Sequence, residues 1–363
     1  MTGGIRLIVG TYGPADRSGI HLLMFAGDRL RMEGSFAGVA NPSYLALHPD
    51  GSHLYAVSEV GLTTHGSGGA VHGFAVRRPA DSFELVPSSV QSSEGDHPCH
   101  LRIHPSGKWL VVTNYGTGTT AVLPILGDGR LGPAAAVPSH EGRGPHPERQ
   151  EGPHPHSSIF SPDGRYLVVA DLGIDRLVLY SFDPATGAPE PVEEIATVSG
   201  GGPRHLALHP DGRHLFAVDE LTSQLTLLEW DGPRLFVLES IRTVAGSGAV
   251  SSIAADVHLA RWGDRVYVSN RGDDSLAVFS FSRQAGLRRL TVQPAGGRGP
   301  RSFVLTPDGR HVVVANRDSN LVCALPIRAG RGDVGTPISS VPVPEPACVV
   351  VDAPARAWLQ HPG

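Results

Sequence analysis

One pattern of apolar and polar positions recurs six times along the chain. Each copy has a run in which apolar and polar residues alternate, a turn related to Pro-Asp-Gly, and a second alternating run that ends in polar residues. Alternation with period two on both sides of a tight turn predicts a β-hairpin. The six predicted hairpins are SYLALHPDGSHLYAVSE, CHLRIHPSGKWLVVTNY, HSSIFSPDGRYLVVADL, RHLALHPDGRHLFAVDE, ADVHLARWGDRVYVSNR and RSFVLTPDGRHVVVANR.

The spacing of these hairpins indicates the architecture. Their turn glycines are 46 to 57 residues apart, and a third strand-like run such as LTLLEW or LAVFSFS follows each hairpin. That repeat length accommodates four short strands with their loops, which is one blade of a β-propeller. The glycines that mark the repeat are Gly51, Gly107, Gly164, Gly212, Gly263 and Gly309.

The two ends of the chain predict one further blade. The N-terminal runs LIVGTY and IHLLMFAG have the pattern of second and third strands, and ACVVVD at residues 347–352 supplies an inner strand. Sharing a blade between the termini closes the ring and leaves no free sheet edge. We therefore predict an all-β fold, a seven-bladed β-propeller of four-stranded antiparallel blades, with residues 1–363 as a single domain.

Composition agrees with this fold and excludes several classes of partner. The 363 residues include 45 Gly and 31 Pro, which suits a chain of short strands and many turns. Thirty basic against 35 acidic residues give a net charge of -5 without a basic stripe, so we expect no nucleic-acid partner. No apolar run approaches the length of a membrane span, and no signal peptide is recognisable, so we expect no membrane association and a cytoplasmic location. We expect a monomer, with three buried free thiols at Cys99, Cys323 and Cys348.

The turn glycines also locate one mouth of the predicted ring. Residues equally far before and after a hairpin turn are expected to lie side by side, which makes Arg204 and Glu220 neighbours. Ionisable residues gather eight positions from the glycines, whereas the Asn and Asp residues at seven positions are expected to satisfy strand ends and loops. The longest connection, at residues 139–157, opens at this mouth and is predicted to form a rim or lid.

The ordered series of motifs resembles the lactonase-type seven-bladed propellers, a family that includes 6-phosphogluconolactonases and carboxymuconate lactonizing enzymes. The resemblance extends from LIVGTY at residue 7 to residue 352, and it is most specific in NPSYLALHPDG, HPCHLRIHPSG, RQEGPHPHSSIFSPDG, GPRHLALHPDGRHLFAVDE and YVSNRGDDSLAVF. It implies a site at the central mouth made of one His, one Glu and two Arg. By motif these are His156, Glu220, Arg204 and Arg271.

These side chains suit the hydrolysis of a lactone. Either His156 or Glu220 activates water while the other handles the proton, and the sequence leaves that assignment open. Arg204 and Arg271 are expected to bind an anionic group or the developing oxyanion. The residues expected to surround the substrate are His100, Arg149, His154 and His205.

We therefore predict a lactone hydrolase that acts on a small anionic lactone, first of all 6-phosphogluconolactone in the pentose phosphate pathway, without a metal or other cofactor. The alternatives are a carboxymuconate-type lactonizing or lactone-opening enzyme, another sugar lactonase, and a non-catalytic binding scaffold. A metal-dependent reaction is a further alternative because His140, His146, His154 and His156 crowd one segment, although a third close ligand is not evident.

Overall fold

The computed structural model describes residues 4–62, 68–79, 82–245 and 251–352. Within these ranges the chain forms 27 β-strands in seven sheets and one 3-10 turn, Arg317–Ser319. In the same ranges no helix is long and apolar enough to cross a membrane. In chain order the strands are β1 Ile5–Thr11, β2 Ile20–Ala26, β3 Arg29–Phe36, β4 Leu45–Leu47, β5 His53–Ser58, β6 Ala70–Arg77, β7 Glu84–Ser92, β8 Pro98–Ile103, β9 Trp109–Asn114, β10 Thr119–Pro124, β11 Pro155–Phe160, β12 Tyr166–Asp171, β13 Arg176–Phe182, β14 Pro189–Ala196, β15 Pro203–Leu208, β16 His214–Asp219, β17 Gln224–Asp231, β18 Arg234–Arg242, β19 Ile253–Leu259, β20 Arg265–Arg271, β21 Ser275–Ser282, β22 Gly286–Pro294, β23 Pro300–Leu305, β24 His311–Asn316, β25 Leu321–Pro326, β26 Ser339–Pro342 and β27 Pro346–Val351.

The sheets are the blades of a closed ring. The inner strands β4, β8, β11, β15, β19, β23 and β27 contact one another in that order, and β27 returns to β4. In the closing blade β27 pairs with β1, for example Leu7 with Val351, and the sheet order is β27-β1-β2-β3. Both chain ends therefore contribute to one blade, and the predicted seven-bladed propeller is confirmed.

One blade departs from four regular strands. The sheet of β8, β9 and β10 has three, and its outer edge carries isolated bridges from Thr119 to Ser139 and from Val122 to Ala136. The fourth strand position is thus occupied by residues 136–139, which lead into the long connection. The three cysteines are buried and make no disulfide, as predicted.

The hairpin register differs from the predicted equal-distance pairing. In the fourth hairpin Leu208 pairs with Leu215, which are four residues before and three after Gly212, because the turn closed by the Gly212 N–H and the His209 carbonyl is asymmetric. On the mouth side of Arg204 the difference between the two distances to Gly212 grows from one residue to two, because a β-bulge at Arg204 places an extra residue in the inner strand. The predicted register is therefore wrong by one residue near the turn and by two at the mouth.

The fifth hairpin keeps the register of its siblings although its turn sequence differs. Trp262 stands where the other copies have Asp or Ser, and it lies exposed at the turn. Val257 still pairs with Val268, the same offset from the turn glycine as Leu206 with Ala217 in the fourth hairpin. The altered turn therefore does not displace Asp256 and His258.

Candidate active site

β-Bulges position the side chains of the mouth. In four inner strands the residue after the first proline has no partner on the neighbouring strand, and each of these residues lies eight positions before its turn glycine. The proline fixes its own φ and donates no hydrogen bond, so it suits the start of the strand. A bulge re-aims the unpaired side chain. The four bulged residues are Cys99, His156, Arg204 and Arg301.

Glu220 is the centre of a buried cluster of charges. Its Oε2 lies 2.9 Å from Arg204 Nε and 2.8 Å from Arg271 Nη2, and its Oε1 accepts a hydrogen bond of 2.7 Å from Arg149 Nη2. Burial opposes the charge of Glu220, but the guanidinium groups of Arg271, Arg204 and Arg149 outweigh it and hold its pKa far below the usual range. Glu220 is therefore a permanent anion that orients three arginines.

Two of these arginines are fixed deep in the ring. Arg204 is 2% exposed and also donates to the Ala255 carbonyl, and Arg271 donates to the Ala254 carbonyl at 3.3 Å. Burial lowers the pKa of Arg271 to about 9, against the opposing effect of Glu220, so it stays charged at neutral pH.

The long connection supplies the third arginine. Arg149 hydrogen-bonds the Tyr115 hydroxyl at 3.1 Å as well as Glu220, and its side chain is about one-third exposed. Gln150 anchors the loop by donating to the Leu172 carbonyl at 2.8 Å and to Asp175 at 2.6 Å. The loop therefore forms the rim of the mouth, as predicted.

His156 lies beside this cluster and has no counter-ion. Its ring packs edge-on against His205 and Tyr115, with centroid distances of 5.4 and 5.8 Å, and its Nδ1 has no hydrogen-bond partner among the described residues. Burial, followed by the positive charge of Arg204 and neighbouring groups, holds the pKa of His156 well below 6.5. The imidazole is therefore neutral at pH 7 and has a lone pair that can accept a proton.

The remaining predicted residues divide into two groups. His154 stacks on Tyr115 at 4.4 Å and shares a 2.7 Å hydrogen bond with the Tyr115 carbonyl, so it holds that residue in place. His100 and His205 lie deeper in the channel, where Tyr44 packs on His100 at 4.4 Å. They line a cavity of about 950 Å³ whose wall includes the hairpin turns at the opposite end, and His205 also packs against His156 at 5.4 Å.

His205 is paired with a buried carboxylate. Its Nδ1 lies 2.8 Å from Asp256 Oδ1, and Asp256 also accepts hydrogen bonds from His258 and from the backbone of Val257 and Phe303. Burial, together with Arg204, lowers the pKa of His205 to about 4 despite the opposing effect of Asp256. The pair links the inner strands β15 and β19. The His205 Nε2 atom has no hydrogen-bond partner among the described residues.

Four further residues of the mouth, which form one contact network, are not among the predicted site residues. Tyr12 donates to Glu59 Oε2 at 3.0 Å, Ser43 donates to the same oxygen, and the Arg301 guanidinium lies over the Tyr12 ring at 5.3 Å. Arg301 and Glu59 occupy the same eight-residue positions as Arg204 and Glu220, so the repeat alone was enough to find them. Tyr12 belongs to the closing blade, which has no turn glycine to count from.

The crowded histidines of the long connection do not converge on one point. His140 lies 2.6 Å from Asp171 Oδ2 and 2.8 Å from the Tyr180 hydroxyl, and His146 accepts a long backbone hydrogen bond from Glu148. Among the described residues, three potential metal ligands come together at His209, Asp211 and His214, which belong to a hairpin turn at the other end of the ring. Asp211 there is already paired with Arg283 at 3.0 Å.

The Asn and Asp residues near the strand ends have the structural role predicted for them. Asn114 donates to the Ser93 carbonyl at 2.7 Å, and Asp171 accepts the backbone N–H groups of His154 and Gly173. In these two blades the bonds tie the end of the second strand to neighbouring loop backbone, whereas Asp219 at the same position of its blade accepts a hydrogen bond of 2.9 Å from Thr226 on the third strand.

Comparison with known proteins identifies the family. The model of the family described as lactonase, 7-bladed beta-propeller, matches residues 6–351. The chain belongs to this lactonase family. The resemblance predicted from the motif series is thereby confirmed, and so, at the level of the family, is the enzyme class of lactone hydrolase.

Similar proteins cover nearly the whole lactonase chain. The 6-phosphogluconolactonase of Bacillus subtilis is 29% identical over 349 residues, 94% of this chain and 96% of the relative. The 6-phosphogluconolactonase of Formosa agariphila is 29% identical over 84% of this chain and 86% of its own length. The solved structure of the periplasmic gluconolactonase PpgL of Pseudomonas aeruginosa is 32% identical, covers 97% of this chain and 99% of its own, and superposes with a TM-score of 0.89.

Proposed function

We propose that this lactonase hydrolyses 6-phosphogluconolactone to 6-phosphogluconate. The observation that carries the proposal is the carboxylate of Glu220, held by three arginines beside a neutral histidine at one end of the channel. Including Arg301 and Glu59, the mouth has four arginines and two carboxylates, an excess of positive charge that favours an anionic substrate. The names of the Bacillus and Formosa relatives support the choice of substrate.

In the proposed reaction His156 is the general base and general acid. Its neutral imidazole takes a proton from water as the water oxygen attacks the lactone carbonyl carbon. The imidazolium then gives this proton to the ring oxygen as the bond between that oxygen and the carbonyl carbon breaks, which leaves a carboxylic acid and a hydroxyl. The carboxylic acid then releases its own proton to solvent and becomes the carboxylate of the product. The arginines near His156 disfavour the imidazolium, and a bound anionic substrate offsets part of this effect by screening their charge.

Arg149 and Arg271 stabilise the oxyanion of the tetrahedral intermediate in this scheme. Guanidinium groups that are already oriented toward the developing charge cost no reorganisation during the reaction. Glu220 supplies that orientation, and its depressed pKa excludes it as the proton acceptor at neutral pH. The sequence left open which of the two residues is the base. We therefore propose that His156 is the base and that Glu220 holds the arginines in position.

A second candidate substrate is gluconolactone without the phosphate. The Pseudomonas gluconolactonase PpgL, which is 32% identical with a TM-score of 0.89, favours it. That protein is named as periplasmic, whereas we propose a cytoplasmic location and a monomeric state for this chain on the sequence arguments above.

The experiment that tests the function compares the two substrates. Acid release from 6-phosphogluconolactone and from δ-gluconolactone is followed by titration at constant pH, with the spontaneous rate subtracted. We expect catalysis of both reactions, with kcat/KM at least about tenfold higher for the phosphorylated lactone, the size of one charge-assisted contact. Rates equal to the spontaneous rates for both lactones would contradict the proposal.

A further inference from the structure

We propose that Arg301 is the subsite for a phosphate monoester dianion, and that it gives the lactonase its preference for a phosphorylated sugar lactone. This inference rests on the proposed lactone hydrolysis at the same mouth. It assigns the binding of the phosphate to an arginine outside the quartet expected from the sequence, while Arg271 keeps its proposed role at the oxyanion.

The first argument is the distribution of charge among the four arginines of the mouth. Arg149, Arg204 and Arg271 all pair with Glu220. Within the part of the chain that the structure describes, no carboxylate oxygen lies within 4.0 Å of the Arg301 guanidinium, whose contact is with the face of the Tyr12 ring at 5.3 Å, and Glu59 and Glu220 attract it only from a greater distance. A cation-π contact uses none of the five N–H donors of a guanidinium. These donors are therefore available to the oxygens of a ligand.

The second argument is the position of the side chain. Arg301 occupies the same bulge as His156 and Arg204, so its side chain leaves the inner strand at the same level of the channel. In agreement with this position, the charge of Arg301 contributes to lowering the pKa of His156 and of Arg271. Its blade is two blades along the ring from that of Glu220.

The third argument is pre-organisation. Tyr12, on which the Arg301 guanidinium rests, is fixed by its hydrogen bond of 3.0 Å to Glu59, and Ser43 donates to the same carboxylate oxygen. This Glu59 oxygen therefore accepts hydrogen bonds from two hydroxyl groups. A guanidinium that is held in place before binding gives more affinity per contact than a mobile one.

The geometry of the substrate fits two separate cationic groups. In 6-phosphogluconolactone the phosphate is several bonds away from the carbonyl carbon, so the group that binds it must be distinct from the group that stabilises the oxyanion. The Glu220 cluster beside His156 serves the carbonyl, and Arg301 serves the phosphate. Gluconolactone has a neutral hydroxyl at the position of the phosphate and gains little from Arg301.

The test compares Arg301→Gln with the matched control Arg317→Gln. Arg317 lies in the 3-10 turn after β24 of the same blade, outside this group of four arginines, and is paired with Asp318 at 2.6 Å. We expect Arg301→Gln to raise KM for 6-phosphogluconolactone about 10- to 100-fold, with kcat and the kinetics on δ-gluconolactone within about twofold of wild type. Arg301→Lys is expected to recover part of the loss, and Arg317→Gln to behave as wild type.

An equal loss on both lactones, or no loss on either, would overturn the subsite. If the wild-type protein hydrolyses neither lactone, the proposed function fails, and calorimetric titration with 6-phosphogluconate and with gluconate then decides the subsite separately. Binding of 6-phosphogluconate that is lost in Arg301→Gln and kept in Arg317→Gln supports it. Equal binding to the wild type and to Arg301→Gln, or binding of gluconate as tight as that of 6-phosphogluconate, contradicts it.

Discussion

Replacing Glu220 by Gln tests the charge cluster on which the account of the site depends. The substitution keeps the shape of the side chain and removes the charge that three guanidinium groups share. Arg204 and Arg271 are 2% and 7% exposed, so water cannot replace the lost carboxylate. Breaking a buried ion pair by removing one partner costs about 3–5 kcal/mol.

This free energy converts to a measurable change in melting temperature. An unfolding entropy of about 2.1 cal/mol/K per residue gives roughly 0.8 kcal/mol/K for 363 residues. Glu220→Gln is therefore expected to lower Tm by about 4–7 °C at pH 7. Misplacement of the arginines is also expected to reduce kcat/KM about 100-fold.

The pH dependence follows from the depressed pKa of Glu220. A carboxylate whose folded pKa lies below its unfolded value stabilises the protein fully above the unfolded pKa, near 4.3, and this contribution is lost as the pH falls through the folded pKa. The difference in Tm between the wild type and Glu220→Gln is therefore expected to be constant from pH 5 to 8 and to shrink in stronger acid.

Thermal unfolding followed by circular dichroism measures both effects. The control is Glu229→Gln, which removes an exposed pair with Arg213 at 3.4 Å and is expected to change Tm by less than about 1 °C. A Tm of Glu220→Gln equal to that of Glu229→Gln would refute the reasoning, because the three arginines would then not depend on this carboxylate.

Two further predictions concern the rim and the interior of the channel. Arg149→Gln is expected to lower kcat/KM about tenfold with a loss in Tm below about 2 °C, because this arginine contacts Glu220 from a partly exposed loop. Arg143→Gln on the same loop is the control and is expected to have no effect. A wild-type kcat/KM in Arg149→Gln would exclude a role of Arg149 in the site. His205 has its pKa lowered from 6.5 to about 4, so the folded protein binds fewer protons than the unfolded chain in this window and loses about 3 kcal/mol of stability as the pH falls through it. His205→Gln is expected to show a shallower decline of Tm from pH 6.5 to 4, and an unchanged slope would contradict the assignment.

The propeller was predictable because its signal is repeated. The alternation around a Pro-Asp-Gly turn, first seen at Gly51, recurs with a nearly constant spacing. The apolar run at residues 347–352 belongs to none of the six hairpins, so it was predicted to be the inner strand that completes the closing blade. The positions of Arg204 and Glu220 at one mouth followed from the same repeat, and they are close enough in the structure to form an ion pair.

What the repeat did not contain was the direction and partner of each side chain. The β-bulge at Arg204 changes the register by a residue and is not marked in the alternating pattern. His100 and His205 have the same repeat position as each other and lie on the mouth side of their strands, yet they line the cavity that reaches the opposite end. Glu220 pairs with three arginines, whereas Arg301 has no direct ion pair among the described residues. This difference follows only from the three-dimensional arrangement of the blades.

The hydrolysis of 6-phosphogluconolactone by His156→Gln tests the central claim most directly. The rate is measured at pH 6.5 above the spontaneous rate, alongside His146→Gln on the long connection, with Tm confirming that both variants fold. We expect His146→Gln to match the wild type and His156→Gln to lose activity by a factor of about 10² to 10⁴, the usual contribution of a general acid-base group. A folded His156→Gln that keeps more than about half of the wild-type rate would show that the proton is handled elsewhere.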